Sequence, residues 1–355
     1  MSFPTGQENG EYIISQDRPE VSKQNTKSKF SRLFEESVDY DEIYEFLRDQ
    51  NITASGACTL FPKSEIQRYR KMGAIGVLMR GPSGKLIGTI FSIPFPIKCS
   101  FSSEPVTHGC TTFLNVHEKL RGHGLCKSLI KELSLYGYEN NHLCGYFLNS
   151  FKLTPTSIPI TSWYHPIDLP KTVALGFGFP NWNSPSHFHE NRIKYSCKLP
   201  KEWKCKIVTT KKSETILELY QSFVSEKKFA WWPSSNEFTK WIQQFPTYSC
   251  WVKERCCGIF SLTSVFARMS TGLDGELALP LIFACNPEEK NSVFKCLLWT
   301  AKERNLDTLY CHQVGDLTET VLKDNNCIAN SSKTYFSLYN NSIKLKETDI
   351  SVPLF

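Results

Sequence analysis

No unbroken apolar run in the 355 residues approaches the roughly 20 that a membrane-crossing helix needs. No N-terminal secretory signal is visible either, so a protein without a transmembrane segment is expected. No Cys-x-x-Cys pair and no Cys/His cluster occur; Cys256 and Cys257 are merely adjacent. Zinc and disulfide frameworks are therefore not indicated. His187 and His189 alternate without a third ligand nearby, and no metal site is expected. A polybasic stripe is lacking as well. The 41 Lys and Arg against 35 Asp and Glu leave a formal charge of +6, which suits a small anionic ligand but not a nucleic acid.

What is present is a globular composition. Hydrophobic residues make up 41% and aromatics 13%, and the length allows two domains with separate cores. Cysteine is plentiful, at 14. Cys126, Cys144, Cys285, Cys296 and Cys311 lie in apolar runs, where a free thiol behaves as a small hydrophobe. Reduced thiols and a cytoplasmic location are expected from that usage. Residues 1–37 are polar, of mixed charge and without sustained periodicity, the signature of a mostly disordered arm.

Beyond the arm the same order of elements occurs twice. The first half reads as helices 41–48 and 63–71, then hairpin strands 74–80 and 85–98 about Gly81-Pro82-Ser83-Gly84. Strand 111–117, helix 125–136 and strand 142–151 complete it. The second half reads as helices 214–225 and 236–244, then strands 249–253, 258–266 and 277–285. Helix 288–304 and strand 308–313 follow. The joint is expected near Leu199-Pro200-Lys201, after a Pro/Ser-rich stretch with little regular structure, which gives modules 38–199 and 200–355. Strands alternating with helices argue an α/β fold of layered α+β type, two tandem modules around mixed sheets related by a pseudo-twofold axis.

The stretch Thr111 to Leu133, TTFLNVHEKLRGHGLCKSLIKEL, carries the chemistry. A Thr- and Val-bearing strand runs into the basic turn Arg121-Gly122-His123-Gly124. Leu125, Leu129 and Leu133 then fall on one helical face, a core face. Strand, glycine turn and helix start make a phosphate cradle, because the first helical amides are unpaired and glycine lets backbone approach the anion. The second half opens its helix with Asn286-Pro287-Glu288-Glu289 instead. An N-cap Asn, Pro at the first position and two acids stabilise a helix start, but the acids repel a diphosphate. Only the first half is built for such a ligand. Trp231-Trp232-Pro233 reads as packing rather than as a lipid contact.

The spacing Arg121-x-x-Gly124-x-Cys126 resembles the pyrophosphate loop of GNAT-type acyl-CoA N-acyltransferases. Phe113-Leu114-Asn115-Val116-His117-Glu118-Lys119-Leu120-Arg121 resembles, more narrowly, the first signature of the protein N-myristoyltransferases. Trp163-Tyr164-His165 with Pro170-Lys171, and Leu338-Tyr339-Asn340, resemble further segments of that family in the right order. The likeness spans roughly residues 38–355. It implies no permanently bound cofactor but acyl-CoA, such as myristoyl-CoA, as co-substrate, and peptide or protein N-termini as acceptors; a monomer is expected. The resemblance assigns the oxyanion to the amides of Phe113 and Leu114. It assigns the acyl-CoA to Phe113, Leu114, Asn115, Val116, His117, Arg121, Gly122, His123, Gly124, Leu125 and Cys126, with Lys127 adding charge. The acceptor falls to Asn149, Tyr164, His165 and Tyr339, and the base to the carboxylate of Phe355, which ends the apolar segment Ser351–Phe355.

The chain departs from the family where the acceptor side chains stand. Thr112 and Asn115 replace the signature's Asn and Cys, and Phe147-Leu148-Asn149-Ser150 replaces Tyr-Thr-Ala-Gly. The segment 324–330 lacks the glycine-rich second signature, and residues 50–56 carry no carboxylates. Three readings follow: direct transfer of a myristoyl-like acyl group to an N-terminal glycine, the same scaffold serving another amine, or a relative that binds acyl-CoA or an acylated peptide without turnover.

Overall fold

The computed structural model describes residues 29–32, 40–50, 58–100, 102–142, 144–153, 157–177, 185–268, 273–341 and 343–355. Most of the polar arm lies outside these. Within it Lys29–Arg32 form strand β1, antiparallel to residues 77–80.

The first half builds helix α1 (Tyr40–Gln50), strand β2 (Cys58–Leu60), α2 (Lys63–Lys71), β3 (Ile75–Arg80), β4 (Leu86–Cys99) and β5 (Val106–Val116). Helix α3 (Leu125–Glu139), β6 (Cys144–Asn149), β7 (Ile158–Pro166), α4 (Leu169–Ala174) and α5 (Pro185–Lys194) follow. The second half contributes β8 (Trp203–Ile207), α6 (Ser213–Val224), β9 (Phe229–Trp231), α7 (Ser235–Gln244), β10 (Thr247–Val252), β11 (Arg255–Arg268) and β12 (Asp274–Cys285). It closes with α8 (Lys290–Glu303), β13 (Thr308–His312), α9 (Glu319–Asp324), β14 (Ile328–Tyr339) and β15 (Ile350–Ser351). The expected elements of both halves are there. The stretch before the joint, expected to hold little regular structure, contains β7, α4 and α5.

The strands form one mixed sheet whose path runs β1-β3-β4-β5-β6-β14-β7-β13-β12-β11-β10-β8. The two halves exchange a strand. β14, late in the chain, lies between β6 and β7, and β7, from the first half, pairs with β13 of the second. Each half thereby completes the other's hydrogen bonding.

Local chemistry explains the elements. In α3, Leu129 and Leu133 are buried and Leu125 is half-buried, all against Val77, Met79, Ile90 and Val116 of the strands below. Gly88 gives them room, since a Cβ there would sit 2.9 Å from the Leu129 side chain. β4 carries Pro94 and Pro96 in mid-strand, where a missing N–H usually breaks a ladder. Its pairing to β3 ends at Ser92 and its pairing to β9 begins at Ile97, so the prolines occupy the gap. Helix α7 opens on a reciprocal cap, with Ser234 Oγ accepting from Glu237 N and Glu237 accepting from Ser234 N.

The largest core lies between the halves. It gathers Tyr69, Phe91, Phe95, Phe113 and Tyr146 from the first with Tyr220, Trp231, Phe238, Trp241, Phe245 and Leu354 from the second. A second core under α8 holds Trp163, Phe260, Phe294 and seven buried cysteines, Cys296 among them. Most described thiols are buried; Cys126, expected inside an apolar run, is instead exposed in the first turn of α3. Among the described residues no helix is long and apolar enough to cross a membrane.

Candidate active site

β5 breaks its register at the signature residues. Thr89 of β4 faces Asn115 and Phe91 faces Thr112, so Ile90 stands opposite two residues, Phe113 and Leu114. This is a β-bulge, which leaves those two outside the regular ladder. Phe113 adopts φ +53°, a left-handed conformation that costs a side-chain-bearing residue about 1–2 kcal/mol. Packing offsets the cost. The Phe113 ring, 6% exposed, meets Phe61, Phe91 and Tyr69 at centroid distances of 4.6, 5.4 and 5.6 Å. Thr89 Oγ1 donates to the Phe113 carbonyl at 2.8 Å. Leu114 stands 40% exposed beside it.

Next to the bulge the sheet opens. β5 and β6 pair in parallel only from His108–Cys144 to Cys110–Tyr146, although β5 continues to Val116 and β6 to Asn149. The strands diverge into a wedge with Phe113 and Leu114 on one wall. Asn115, Val116 and His117 lead from it into the glycine turn. Gly122 and Gly124 take φ +85° and +78°, and no side chain caps α3. The first amides of the helix are thus left to an anion. Arg121 has a different duty from the one expected. Its guanidinium donates to the Val116 and Gln50 carbonyls at 3.1 and 2.7 Å, bracing the turn. His123, Cys126 and Lys127 are exposed along it, and His117, half-buried, accepts from Lys119 N at 3.3 Å.

The second half repeats the design and fills it. β11 and β12 slip register so that Leu281 is the extra residue, and β12 pairs with β13 only from Leu277–Thr308 to Ala278–Leu309. Into this opening runs the C-terminal segment. Ile350, Ser351, Val352 and Leu354 line a cavity of about 30 Å³ with Leu281, Ile282 and His312. The segment passes Gly315, φ +60°, where a Cβ would stand 2.5 Å from the Ile350 carbonyl oxygen. α8 starts at Lys290 after a short 3₁₀ turn, and Asn286, expected as its side-chain cap, makes no capping hydrogen bond.

The Phe355 ring lies 5.1 Å from Tyr69, 5.7 Å from Phe245, 6.1 Å from Phe95 and 6.3 Å from Trp241. Tyr69 therefore touches both Phe113 and Phe355, which are 242 positions apart in the chain (355 − 113). The residues expected to line the acceptor site are scattered. Tyr164 and His165, adjacent in β7, point to opposite faces of the sheet. Tyr164 packs on Phe177. His165 is 2% exposed on the α8 side with Trp163, beside Tyr195, and lines a cavity of about 380 Å³ with Lys194, Lys198 and Lys295. Burial pushes its imidazole down to about 4. Tyr339 stands opposite Gly145 at the closed end of the wedge, and Asn149 ends the strand that forms its far wall. Of the four, Asn149 alone borders the opening.

No protein-family model matches the sequence. The chain is 25% identical over 224 residues to the glycylpeptide N-tetradecanoyltransferase of Candida albicans, a match covering 59% of this chain. That match spans 48%, about half, of the relative's length. The structure superposes on Saccharomyces cerevisiae N-myristoyltransferase with bound myristoyl-CoA at a TM-score of 0.79, with 15% identity over 96% of this chain and 92% of that one. A second structure of the yeast protein, with bound myristoyl-CoA and inhibitors, gives 0.76 and 16%, over 96% and 88%. The fold is that of N-myristoyltransferase. The bulge, the wedge and the second opening filled by the chain's own end are thus parts of an N-myristoyltransferase fold. Its layered α/β architecture is the one the tandem repeat led one to expect.

The sequence announced helix α2 but not what its side chains meet. Glu65, Arg68 and Tyr69 sit where this helix meets the second half. Arg68 lies 5.1 Å over the Phe245 ring and 3.4 Å from Thr263 Oγ1. The available signal was an acid beside Ile66 and four residues before Tyr69, on the helix's inward face.

Proposed function

We propose that the protein is an N-acyltransferase that moves a myristoyl-like acyl group from acyl-CoA to the α-amine of a peptide's N-terminal glycine. The bulge at Phe113–Leu114 beside the diverging strands, with an uncapped helix start at the wedge's outer end, carries the reading. In this proposal the acyl-CoA enters the wedge along Asn115, Val116 and His117. The amides from Gly122 through His123, Gly124 and Leu125 to Cys126 hold the diphosphate. Arg121 keeps the turn in shape, and Lys127 adds charge at its rim.

The amine nitrogen attacks the thioester carbon, whose oxygen takes negative charge and is met by the Phe113 and Leu114 amides. Such a donor contributes about 10²–10³ in rate. The C–N bond forms, the C–S bond breaks, CoA leaves as thiolate, and the amine's proton passes to the carboxylate that Phe355 carries in this chain. A weak base is sufficient, because an α-amine of pKa 7.7–8.0 is roughly 10% unprotonated at neutral pH. Asn149 faces the incoming chain at the wedge; Tyr164, His165 and Tyr339 shape the sheet around it. A cytoplasmic monomer, organised as modules 38–199 and 200–355, completes the proposal.

Incubation with myristoyl-CoA and a panel of glycyl peptides, with free thiol measured, tests it. Thiol release that depends on a free N-terminal amine is expected. The same protein extended by a few residues beyond Phe355 is expected to bind myristoyl-CoA by calorimetry and to transfer nothing. Absence of release with every peptide counts against transfer and leaves acyl-CoA binding as the function.

A further inference from the structure

Most chain ends are loose, but this one is held. β15 ends at Ser351, and beyond it Val352 and Leu354 stay buried while Phe355 is half-buried. Pro353 fixes its own φ and brings no N–H, and its carbonyl is the group that the first half grips. Tyr146 Oη donates to that oxygen at 3.0 Å and Cys110 Sγ at 3.9 Å. The N–H of Phe355 itself adjoins the same sulfur. Cys110 and Tyr146 face each other as the last pair of β5 and β6 before those strands diverge. Phe113 follows Cys110 by three residues, roughly 10 Å along a strand. The Tyr146 ring stacks on Phe336 at 5.7 Å and meets Phe229 edge-on at 5.8 Å, so its hydroxyl is fixed in place.

We infer that Cys110 and Tyr146 are positioning residues that seat the terminal carboxylate of Phe355 at the closed end of the wedge. The inference rests on the acyl-transfer reading above, in which that carboxylate accepts the amine's proton. The grip is on a carbonyl two residues before the end, so it orients the carboxylate without using its oxygens. One strand, β5, then serves both sides of the reaction: its bulge presents the oxyanion amides, and Cys110 helps hold the base. Burial pushes the Cys110 thiol up to about 12 and raises the Tyr146 phenol as well. Both keep their hydrogens at neutral pH, so they hold the chain end and do not compete with it for the proton.

The test compares wild type with Tyr146→Phe, which keeps the ring and loses the donor, and with Cys110→Ala. Thiol release with myristoyl-CoA and a glycine-initiated octapeptide is followed from about pH 6.5 to 9, across the titration of an α-amine. Acyl-CoA affinity is measured by calorimetry. Tyr146→Phe is expected to lower kcat about ten- to a hundredfold at neutral pH, up to the cost of misplacing a reacting group by about 1 Å. Acyl-CoA affinity is expected to stay unchanged, and Cys110→Ala, losing the longer contact, to fall less. The deficit is expected to shrink toward the alkaline end, because an amine of pKa about 7.7–8.0 that is already deprotonated needs no base. An unchanged kcat in Tyr146→Phe overturns the inference. So does a deficit that is constant with pH or matched by lost acyl-CoA affinity, since that is the mark of a merely structural role. If Tyr146→Phe does not fold, Cys110→Ala is read by the same profile, and a constant or absent deficit there overturns the inference. A protein extended beyond Phe355 that transfers as fast as wild type takes the base away from the chain end and sinks the inference while acyl transfer stands. A wild type that transfers nothing overturns both.

Discussion

Phe113 shows how one residue can be held in an unfavourable conformation for a reason. Its φ of +53° would suit glycine, yet its ring is needed among Phe61, Tyr69 and Phe91. Phe113→Ala removes the ring and keeps the strain, and is expected to cost about 3–5 kcal/mol in chemical denaturation. Phe113→Gly loses the ring but relaxes the backbone, and should be about 1 kcal/mol more stable than the alanine variant. If alanine proves the more stable, the left-handed bulge is wrong. Three buried imidazoles set the response to acid. Burial pushes His108, His165 and His312 down to about 4, against an unfolded value of 6.5. As pH falls the unfolded chain takes up its protons first. Stability is full above pH 6.5 and is lost between there and about 4, by about 3 kcal/mol per imidazole. Denaturation midpoints measured across that window should fall steeply, and replacing His312 with Gln should make the fall shallower.

At the scale of elements, an ion-pair node centred on Asp316 reaches the C-terminal segment through Lys227. Asp316 takes Lys227 at 2.9 Å and Lys290 at 3.1 Å, and its other oxygen accepts from Cys285 N at 3.2 Å. Lys227 also donates to the Thr348 carbonyl, on the approach to β15. Asp316→Ala strands two partly buried ammonium groups and is expected to lower stability by about 3 kcal/mol. Proteolysis of the C-terminal segment should accelerate with it; unchanged cleavage would separate the ion pairs from the seating of β15. Gly315→Ala acts on the same contact by sterics. Its Cβ would collide with the Ile350 carbonyl on a backbone already at φ +60°, and a loss of about 2–4 kcal/mol is expected. The glycine turn before α3 was legible in sequence because its function needs a spacing, whereas Gly315 lies within no motif. Its role exists only because Ile350 passes over it.

The whole molecule is decided by the exchange of β7 and β14. Residues 38–199 expressed alone would leave β6 without its β14 neighbour and β7 without either partner. Such exposed strand edges invite aggregation. The isolated half is expected to be insoluble or molten, and co-expression with 200–355 should restore a soluble pair. A well-folded, monomeric 38–199 would contradict the shared sheet. These two strands are also what reading the chain left out. β7 carries two prolines, Pro159 and Pro166, and β14 runs IANSSKTYFSLY, so neither shows the alternation that announces a strand buried on one face.

Sequence by itself determined the repeat of elements, the glycine cradle and its confinement to the first half, because helical and strand periodicity and turn chemistry are local properties. The acyl side of the candidate site was legible for the same reason: its proposed ligands are backbone amides, and their position follows from motif spacing. Only the tertiary structure decided that Tyr164 and His165 part to opposite faces, that Arg121 braces the turn, and that Tyr69 bridges Phe113 to Phe355 with Glu65 behind it. Those contacts join residues far apart in the chain through one aromatic core, and no local pattern records which distant side chains a core will bring together.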